Sequence, residues 1–487
     1  MDFSEMSALQ ISDLIRKRKA SVEEIVSFNL ENIKKYEEYN SFITADFDGA
    51  MKSAREVQKL VDGGFDSPLC GVTVAVKDNI CTSSLRTTCA SKMLENFVSP
   101  YDAFAVEQMR KNGMVIVGKT NMDEFAMGST GENSFFGAVK NPWDKTRFTG
   151  GSSSGSACAV SLSQSAVALG SDTGGSVRMP CAHCSLTGLK PTYGTVSRSG
   201  LVAYASSLDQ IGTIAKTASD AAALFYVLSE ADKRDMTCVG KRNFSLDDIT
   251  CKKAKDIKIA VAQELLSCVQ SDVSACIVNA AEVFKSLGAQ VDFVSFDVFE
   301  KSVAPYYIIA CAEASSNLAR YDGIRYGSSC GSAETLDEFY IQTRSENFGS
   351  EVKKRIMLGN FVLSEGYYDK YYLSAVNSKN KLVSDFEKIL SDYDVLLSPV
   401  TVSTAGKLGE NTDKMKLYKD DLCNVAVNLC SLPSLSLPCG LGENNMPVGC
   451  QLIGRRFDEK TLVALGNAFQ SVTDFHKKKP NATEAKR

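Results

Sequence analysis

A lysine that ends an apolar run and two clusters of glycine and serine are the residues in this chain best suited to chemistry. Lys77 closes the run 71–77, and the clusters occupy 150–157 and 172–180. Only two histidines, His183 and His476, occur in 487 residues. A nucleophilic serine here would therefore need a base other than histidine, and a lysine amine is the leading candidate because Ser–Lys pairs catalyse acyl transfer in other folds.

The second cluster places a serine after two glycines. Asp172-Thr-Gly-Gly-Ser176 follows a strand-like run that ends at Gly170. Backbone N–H groups at such a turn can stabilise the oxyanion of an acyl-transfer reaction. An ordinary strand–turn–helix junction would use the same residues for turn geometry and capping, and the motif alone leaves both interpretations open.

The first cluster, 150–157, is not a phosphate-binding Walker loop, because no Lys-Ser/Thr pair follows its glycines at the required spacing. Gly151-Ser-Ser-Ser-Gly155 does match the nucleophile-elbow pattern, with Ser153 at its centre. That pattern needs an acid and then a histidine downstream, and the scarcity of histidine disfavours it. The remaining interpretation is a glycine-lined loop that presents a serine as a proton relay.

Lys77 itself has two interpretations. A lysine at the end of an apolar strand commonly extends its amine into solvent. If the amine is buried instead, its pKa falls from about 10.4 towards the range in which it can accept a proton. The sequence alone does not decide between these two.

Cys181 and Cys184 form a single C-x-x-C motif, which could be redox-active or half of a zinc site. The chain contains no second C-x-x-C, and its other cysteines lack ligand spacing. We therefore expect these two thiols to be packing residues, and we expect no metal site, with metal binding as the minor alternative.

The composition is that of a soluble globular protein, with 44% hydrophobic and 23% charged residues. The net charge of −4 offers no general attraction for nucleic acid. The 16 scattered cysteines suggest reduced core thiols, and no apolar run approaches the length of a membrane span. Without a recognisable signal or transit peptide, the sequence predicts a cytoplasmic protein.

Short β-rich runs alternate with helical segments from about residue 70, which predicts an α/β fold with a mixed, largely parallel sheet covered by helices on both faces. We expect an N-terminal helical arm at 1–65, a single large domain at 66–475 and a solvated tail at 476–487. Ser21 and Glu24 form a capping box in the arm. Other predicted strands are 72–76, 114–118, 166–170, 257–261, 290–294 and 395–398, and predicted helices are 102–112, 274–287, 305–321 and 366–393.

Taken together, these motifs resemble the amidase signature family, whose signature the stretch 150–180 fits without a break. Segments 121–129, 188–194, 196–212, 313–327, 355–359, 366–369 and 428–433 are similar to the A-subunit branch of the glutamyl-tRNA(Gln) amidotransferases. His183 and the Cys181/Cys184 pair depart from the usual residues at their positions, but the catalytic residues are intact.

The resemblance assigns roles to specific positions. It implies a Ser–cisSer–Lys triad with Ser176 as nucleophile, Ser152 as the serine after a cis peptide and Lys77 as base. It implies an oxyanion hole formed by the backbone of Thr173, Gly174 and Gly175. By family position, the residues that bind the α-amino acid substrate are Ser129, Tyr307, Arg355 and Asp421. On composition alone, Arg355 and Asp421 could equally be surface charges.

The implied activity is glutamine hydrolysis to glutamate and ammonia. The ammonia would pass to a B subunit that amidates glutamate or aspartate carried on a tRNA, with a small C subunit completing a heterotrimer. The resemblance implies no cofactor in this chain, and ATP, Mg²⁺ and most tRNA contacts in the B subunit. A stand-alone amidase for small amides and a catalytically silent scaffold are the alternatives, and the intact triad argues against the scaffold.

Overall fold

The chain is built around one eleven-stranded sheet in the computed structural model, which describes residues 2–410 and 421–480. The order across the sheet is β1-β3-β2-β4-β6-β5-β10-β11-β9-β7-β8. The strands are β1 (Phe42–Ala45), β2 (Thr73–Lys77), β3 (Val115–Thr120), β4 (Val167–Asp172), β5 (Thr187–Lys190), β6 (Gln210–Ala215), β7 (Lys258–Ala262), β8 (Gln290–Val294), β9 (Val395–Pro399), β10 (Ser434–Leu441) and β11 (Pro447–Gly454).

Parallel pairing is confined to two blocks of three strands, β3-β2-β4 and β9-β7-β8. The other neighbouring strands, including the hairpin of β10 and β11, run antiparallel. The predicted α/β class with a mixed sheet is confirmed, and the parallel block β3-β2-β4 contains the strands that carry the candidate catalytic segments.

The sheet is covered on both faces where the candidate residues lie. Every residue of β2, β3 and β4 is buried, and successive side chains of a strand point to opposite faces. The helices around the sheet are α1 (Ala8–Arg16), α2 (Val22–Lys35), α3 (Phe47–Asp62), α4 (Phe104–Lys111), α5 (Ser154–Ser161), α6 (Arg178–His183), α7 (Ala218–Leu228), α8 (Gln263–Cys268), α9 (Ser271–Ser286), α10 (Val303–Asn317), α11 (Leu336–Asn347), α12 (Ser350–Leu363), α13 (Ser374–Asp392), α14 (Val425–Leu429) and α15 (Glu459–Val472). In the described part of the chain, none of these helices has the length and apolarity needed to cross a membrane.

The N-terminal arm packs onto the sheet. The predicted capping box is present, because Ser21 Oγ accepts the N–H of Glu24 and the Glu24 side chain accepts the N–H of Ser21. The apolar face of α2 joins the main hydrophobic core. The arm is not purely helical, however: β1 lies within it and pairs antiparallel with β3, extending the sheet by one edge strand.

Residues near the two ends of the described chain contact each other. The Lys479 amine donates a hydrogen bond to Ser4 Oγ at 3.0 Å and pairs with the Glu5 carboxylate. The described part of the predicted solvated tail is therefore tied to the N-terminal segment, while residues 481–487 of that prediction lie outside the described residues.

Candidate active site

Two neighbouring parallel strands bring the candidate catalytic segments to one edge of the sheet. Strand β2 ends at Lys77, and β4 ends at Asp172, four residues before Ser176. Their register pairs Val76 with Leu169, so the carboxyl ends of both strands lie side by side. Ligand and catalytic sites in α/β sheets form at such edges.

The Lys77 amine lies within hydrogen-bonding distance of the predicted relay serine. Lys77 Nζ is 2.7 Å from Ser152 Oγ, 2.9 Å from Ser171 Oγ and 3.1 Å from the Ser171 carbonyl oxygen. Asn79 Nδ2 donates to the same Ser171 Oγ at 2.9 Å. The amine is therefore held by β4 on one side and directed towards Ser152 on the other.

Burial changes the acidity of this amine. Lys77 has no exposed surface, and removal from water lowers its pKa to about 7, with the carboxylates of Asp123, Asp172 and Asp209 partly opposing the shift. Desolvation disfavours a charged amine, so a large fraction of Lys77 is neutral near pH 7. A neutral amine has the lone pair that a general base needs.

The peptide bond between Gly151 and Ser152 is cis, as the resemblance implies. The Gly151 N–H donates to the Ser129 carbonyl at 2.7 Å, and the Asp123 N–H donates to the Ser152 carbonyl at 3.3 Å. A Cβ on Gly151 would lie 2.0 Å from Asp123 Oδ2, so only glycine fits there. Segment 121–129 thus holds the Ser152 loop, and it places Ser129 beside the cis peptide.

Ser176 lies on a turn organised by a carboxylate. Asp172 accepts the N–H groups of Gly175 at 2.8 Å and Val177 at 3.0 Å. The Ser176 carbonyl accepts the Ser153 N–H at 3.1 Å, which joins the two glycine–serine clusters. Ser176 is 8% exposed whereas Lys77 and Ser152 are fully buried, so Ser176 is the member of the three that an incoming molecule reaches first.

One predicted oxyanion donor is already engaged. The Gly175 N–H donates to Asp172 Oδ1, whereas the resemblance implied that this N–H would bind a substrate oxygen. Gly175 has a φ of 123°, a conformation that favours glycine, and this conformation turns its N–H inward. Thr173 and Gly174 remain the candidate oxyanion donors.

Arg178 stabilises this turn through its contacts with Asp172. It is fully buried and forms two contacts with Asp172, from Nη2 to Oδ1 at 3.0 Å and from Nε to Oδ2 at 3.1 Å. It also donates to Asn428 Oδ1 at 2.6 Å and Gln451 Oε1 at 2.9 Å. Burial disfavours the Asp172 carboxylate, but the Arg178 guanidinium more than offsets this, and the Asp172 pKa lies well below its usual range.

The predicted substrate-binding residues on distant segments converge. The Tyr307 hydroxyl donates to Asp421 Oδ2, and the guanidinium carbon of Arg355 lies 5.5 Å from the ring centroids of both Tyr307 and Tyr204. Arg355 is 9% exposed and Asp421 8% exposed. Burial raises the Asp421 pKa to about 6, against the opposing effects of the Tyr307 hydroxyl and Arg355.

This group lies against the Ser176 turn. A Cβ on Gly174 would lie 2.5 Å from the hydroxyl oxygen of Tyr306, the neighbour of Tyr307 on α10. A Cβ on Gly175 would lie 2.8 Å from the Cβ of Asn424, whose N–H donates to the Asp421 carbonyl. A guanidinium and a carboxylate therefore lie on segments that pack against the Ser176 turn, and these are the two charges that recognition of an α-amino acid requires.

Two residues of this arrangement were not singled out from the sequence. Tyr204 accepts a hydrogen bond from Arg355 Nη1 at 2.5 Å, and Ser171 supports Lys77. Ser171 directly precedes Asp172, so its position one step before the Ser176 turn was the available signal. For Tyr204 we find no local signal, because its partner is 151 residues away along the chain.

Cys181 and Cys184 lie buried on and directly after α6, and both thiols are free. Burial holds both pKa values well above the usual range for a thiol. No cluster of three or more potential metal ligands occurs in the described ranges 2–410 and 421–480.

His183 is buried edge-on against Phe148, and burial lowers its pKa to about 4.

The sequence and the fold of this chain are similar to those of known proteins. Residues 24–463 match the sequence profile of the Amidase family. The A subunit of the glutamyl-tRNA(Gln) amidotransferase from Lachnoclostridium phytofermentans is 46% identical over 475 residues, covering 95% of this chain and 96% of that protein. The protein of the same name from Carboxydothermus hydrogenoformans is 46% identical over 484 residues, covering 99% of this chain and 100% of that protein.

A crystal structure of the glutamyl-tRNA(Gln) amidotransferase A subunit from Thermotoga maritima superimposes with a TM-score of 0.80 at 38% identity, covering 97% of this chain and 96% of that chain. The agreement extends over nearly the whole length of these proteins. The chain belongs to the amidase family.

Proposed function

We propose that this chain is the glutaminase subunit of an aminoacyl-tRNA amidotransferase. The observation that carries the proposal is the 2.7 Å contact between a fully buried Lys77 amine and Ser152, next to the Ser176 turn. Near-full-length similarity to proteins named as the A subunits of glutamyl-tRNA(Gln) amidotransferases supports the choice of substrate.

Glutamine is held at its charged end in this proposal. Arg355 pairs with the α-carboxylate and Asp421 with the α-ammonium, with Tyr307 between them and Ser129 lining the same space. Charge-matched hydrogen bonds of this kind are stronger than neutral ones. The side-chain amide then extends towards Ser176, and the carbonyl oxygen approaches the N–H groups of Thr173 and Gly174.

Proton transfer starts from the neutral amine of Lys77. Ser176 Oγ attacks the amide carbon while its proton passes to Ser152 Oγ, and the Ser152 proton passes to Lys77 Nζ. The carbonyl π electrons move to oxygen, and the resulting oxyanion accepts backbone hydrogen bonds. When the tetrahedral intermediate collapses, the C–N bond breaks and the relay returns a proton to the nitrogen, which leaves as ammonia. Water then hydrolyses the γ-glutamyl ester on Ser176 by the same route and releases glutamate.

The transamidation itself requires a partner. We propose that ammonia passes to a B subunit, which uses ATP and Mg²⁺ to amidate glutamate on tRNA(Gln), and that a small C subunit completes the complex. The proposal places the tRNA contacts mainly on the B subunit, in accord with this chain's net charge of −4.

Ser176→Ala tests this division of labour. The variant complex, assayed with Glu-tRNA(Gln) and ATP, is expected to lose glutamine-dependent transamidation by at least about a thousandfold, because the nucleophile is gone. Free ammonium should still support the reaction at the wild-type rate. Loss of both activities in a folded complex would contradict the proposal, and full glutamine hydrolysis by the isolated wild-type chain would favour the stand-alone amidase.

A further inference from the structure

The buried carboxylate of Asp209 connects the Ser176 turn to the residues around Arg355, which is the proposed binding partner of the substrate's α-carboxylate. Asp209 is 2% exposed and lies at the residue before β6, the antiparallel neighbour of β4. The register pairs Asp172 with Gln210, so Asp209 lies opposite the first residues of the Ser176 turn. The proposed reaction gives this carboxylate no role of its own.

Both oxygens of this carboxylate are occupied. Oδ1 accepts the hydroxyl of Thr173 at 2.6 Å. Oδ2 accepts the backbone N–H groups of Tyr204 at 2.9 Å and Ala205 at 3.0 Å. Asp209 therefore ties Thr173, a candidate oxyanion donor, to the start of the loop 204–209.

The same loop carries the residue that holds Arg355. Tyr204 contacts the guanidinium twice, through its hydroxyl at 2.5 Å from Nη1 and through its ring at 5.5 Å from the guanidinium carbon. The result is a continuous path from Thr173 through Asp209 and Tyr204 to Arg355, made entirely of buried groups. A rigid path of this kind sets the spacing between its two ends.

The loop is also fastened to the helix that carries Tyr307. Glu313 on α10 accepts the Ser207 N–H at 2.9 Å and the Ser207 hydroxyl at 2.5 Å. Asn317, also on α10, donates to the Tyr204 carbonyl at 3.2 Å. α10 and α12 support the loop from one side, and the Asp209 side chain adds a direct contact between the loop and Thr173 of the turn.

We propose that Asp209 is a positioning residue that sets the distance between the oxyanion donors and Arg355, so that glutamine is accepted and asparagine, which is one methylene shorter, is disfavoured. The inference rests on the proposed glutaminase activity and deepens it. With the α-carboxylate anchored at Arg355, a shorter side chain leaves its amide short of Ser176. A difference of one methylene in a rigid site changes kcat/KM by about 10- to 200-fold.

Two variants change the hydrogen bond between Thr173 and Asp209, one from each side. Asp209→Asn replaces this charge-assisted bond with a neutral one of reversed direction, in which the amide N–H₂ donates to the Thr173 hydroxyl, and it keeps an oxygen for the two backbone N–H groups. Thr173→Val keeps the shape of the side chain and the backbone N–H but removes the hydroxyl. Asp232→Asn is the matched control, because Asp232 is a buried carboxylate that accepts the Ser197 hydroxyl at 2.8 Å in a different segment.

The measurement is the ratio of kcat/KM for glutamine to that for asparagine in the assembled complex. This ratio is unaffected by the fraction of folded enzyme, so a purely structural defect leaves it unchanged. Thr173→Val is expected to lower the ratio at least fivefold, mainly through a higher KM for glutamine. Asp209→Asn should lower it less, and Asp232→Asn should stay within twofold of wild type.

A ratio within twofold of wild type in Thr173→Val overturns the inference, since this variant removes the hydrogen bond to Asp209. A wild-type complex that hydrolyses neither amide refutes the proposed function, and the inference falls with it. An active wild type with unchanged ratios in the variants refutes the positioning role alone.

Discussion

The acidity of Lys77 determines how much base the site contains, and its contribution can be calculated. At pH 8 an amine with a pKa of about 7 is about 90% neutral, whereas an ordinary lysine with a pKa of about 10.4 is about 0.4% neutral. Burial therefore increases the neutral fraction about 200-fold at that pH. An amine accepts a proton only when neutral, so activity should rise with pH through the pKa and level off above it.

The assay is glutamine hydrolysis by the assembled complex at saturating substrate between pH 5.5 and 8.5. We expect kcat to be about tenfold lower at pH 6 than at pH 8, with a single rising limb centred near 7. Lys77→Met, which keeps most of the length of the side chain without a base, should lower kcat by about 10²- to 10⁴-fold and abolish the limb.

Two results would refute this reasoning. A kcat that is flat from pH 6 to 8 would mean that no group of this acidity controls the chemical step. A Lys77→Met complex that keeps more than a tenth of wild-type kcat would mean that the proton leaves Ser176 by another route.

Two further perturbations test substrate recognition and the support of the turn. Asp421→Asn should raise KM for glutamine about 10- to 150-fold, equivalent to the loss of a charged hydrogen bond of about 1.5–3 kcal/mol, with kcat little changed; because the Asp421 pKa is about 6 and its charged form binds the ammonium, wild-type KM should also rise as pH falls below 6. An unchanged KM in the steady-state assay would remove Asp421 from the site. Arg178→Met should lower the free energy of unfolding by about 3–5 kcal/mol, since it leaves the buried Asp172 carboxylate without its charged partner. The surface control Arg110→Met breaks the partly exposed pair with Asp102 and should lower the free energy of unfolding by less than about 1 kcal/mol. Both values are measured by denaturant unfolding, and equal losses in the two variants would contradict a stabilising role of Arg178 at the Ser176 turn.

The parts of the site that could be predicted from sequence are the local ones. The apolar run before Lys77, the glycines around Ser152 and the turn before Ser176 each carry their signal within a few residues. Strand β8 was predicted with its observed bounds, and α4 ends just before Gly113, which has a φ of 68°. In these places local sequence preference and the final fold agree.

Strands β10 and β11 were not predicted, and each contains a proline, Pro438 within β10 and Pro447 at the start of β11. Proline removes a ladder donor, which counts against a strand from sequence alone. The structure accommodates Pro438 beside an irregularity between it and Gly440. Strand β1 was also missed, since residues 1–65 were predicted as a helical arm and β1 is only four residues long.

The network around Arg355 depends on contacts between distant residues. Thr173 and Asp209 are separated by 36 residues, and Tyr204 and Arg355 by 151. Nothing in the sequence near Asp209 distinguishes it from a capping or surface carboxylate. Only the pairing of β4 with β6 and the packing of α12 over the loop 204–209 bring these groups together.

The protonation state of Lys77 can be measured directly by NMR. In protein labelled with [ε-¹³C]lysine, the resonance absent from Lys77→Met identifies the Lys77 methylene, and its chemical shift is followed from pH 5.5 to 10. The buried base described above predicts a titration midpoint near 7. A midpoint above 9, where an exposed lysine titrates, would show that the amine is charged at neutral pH and does not take a proton from Ser152.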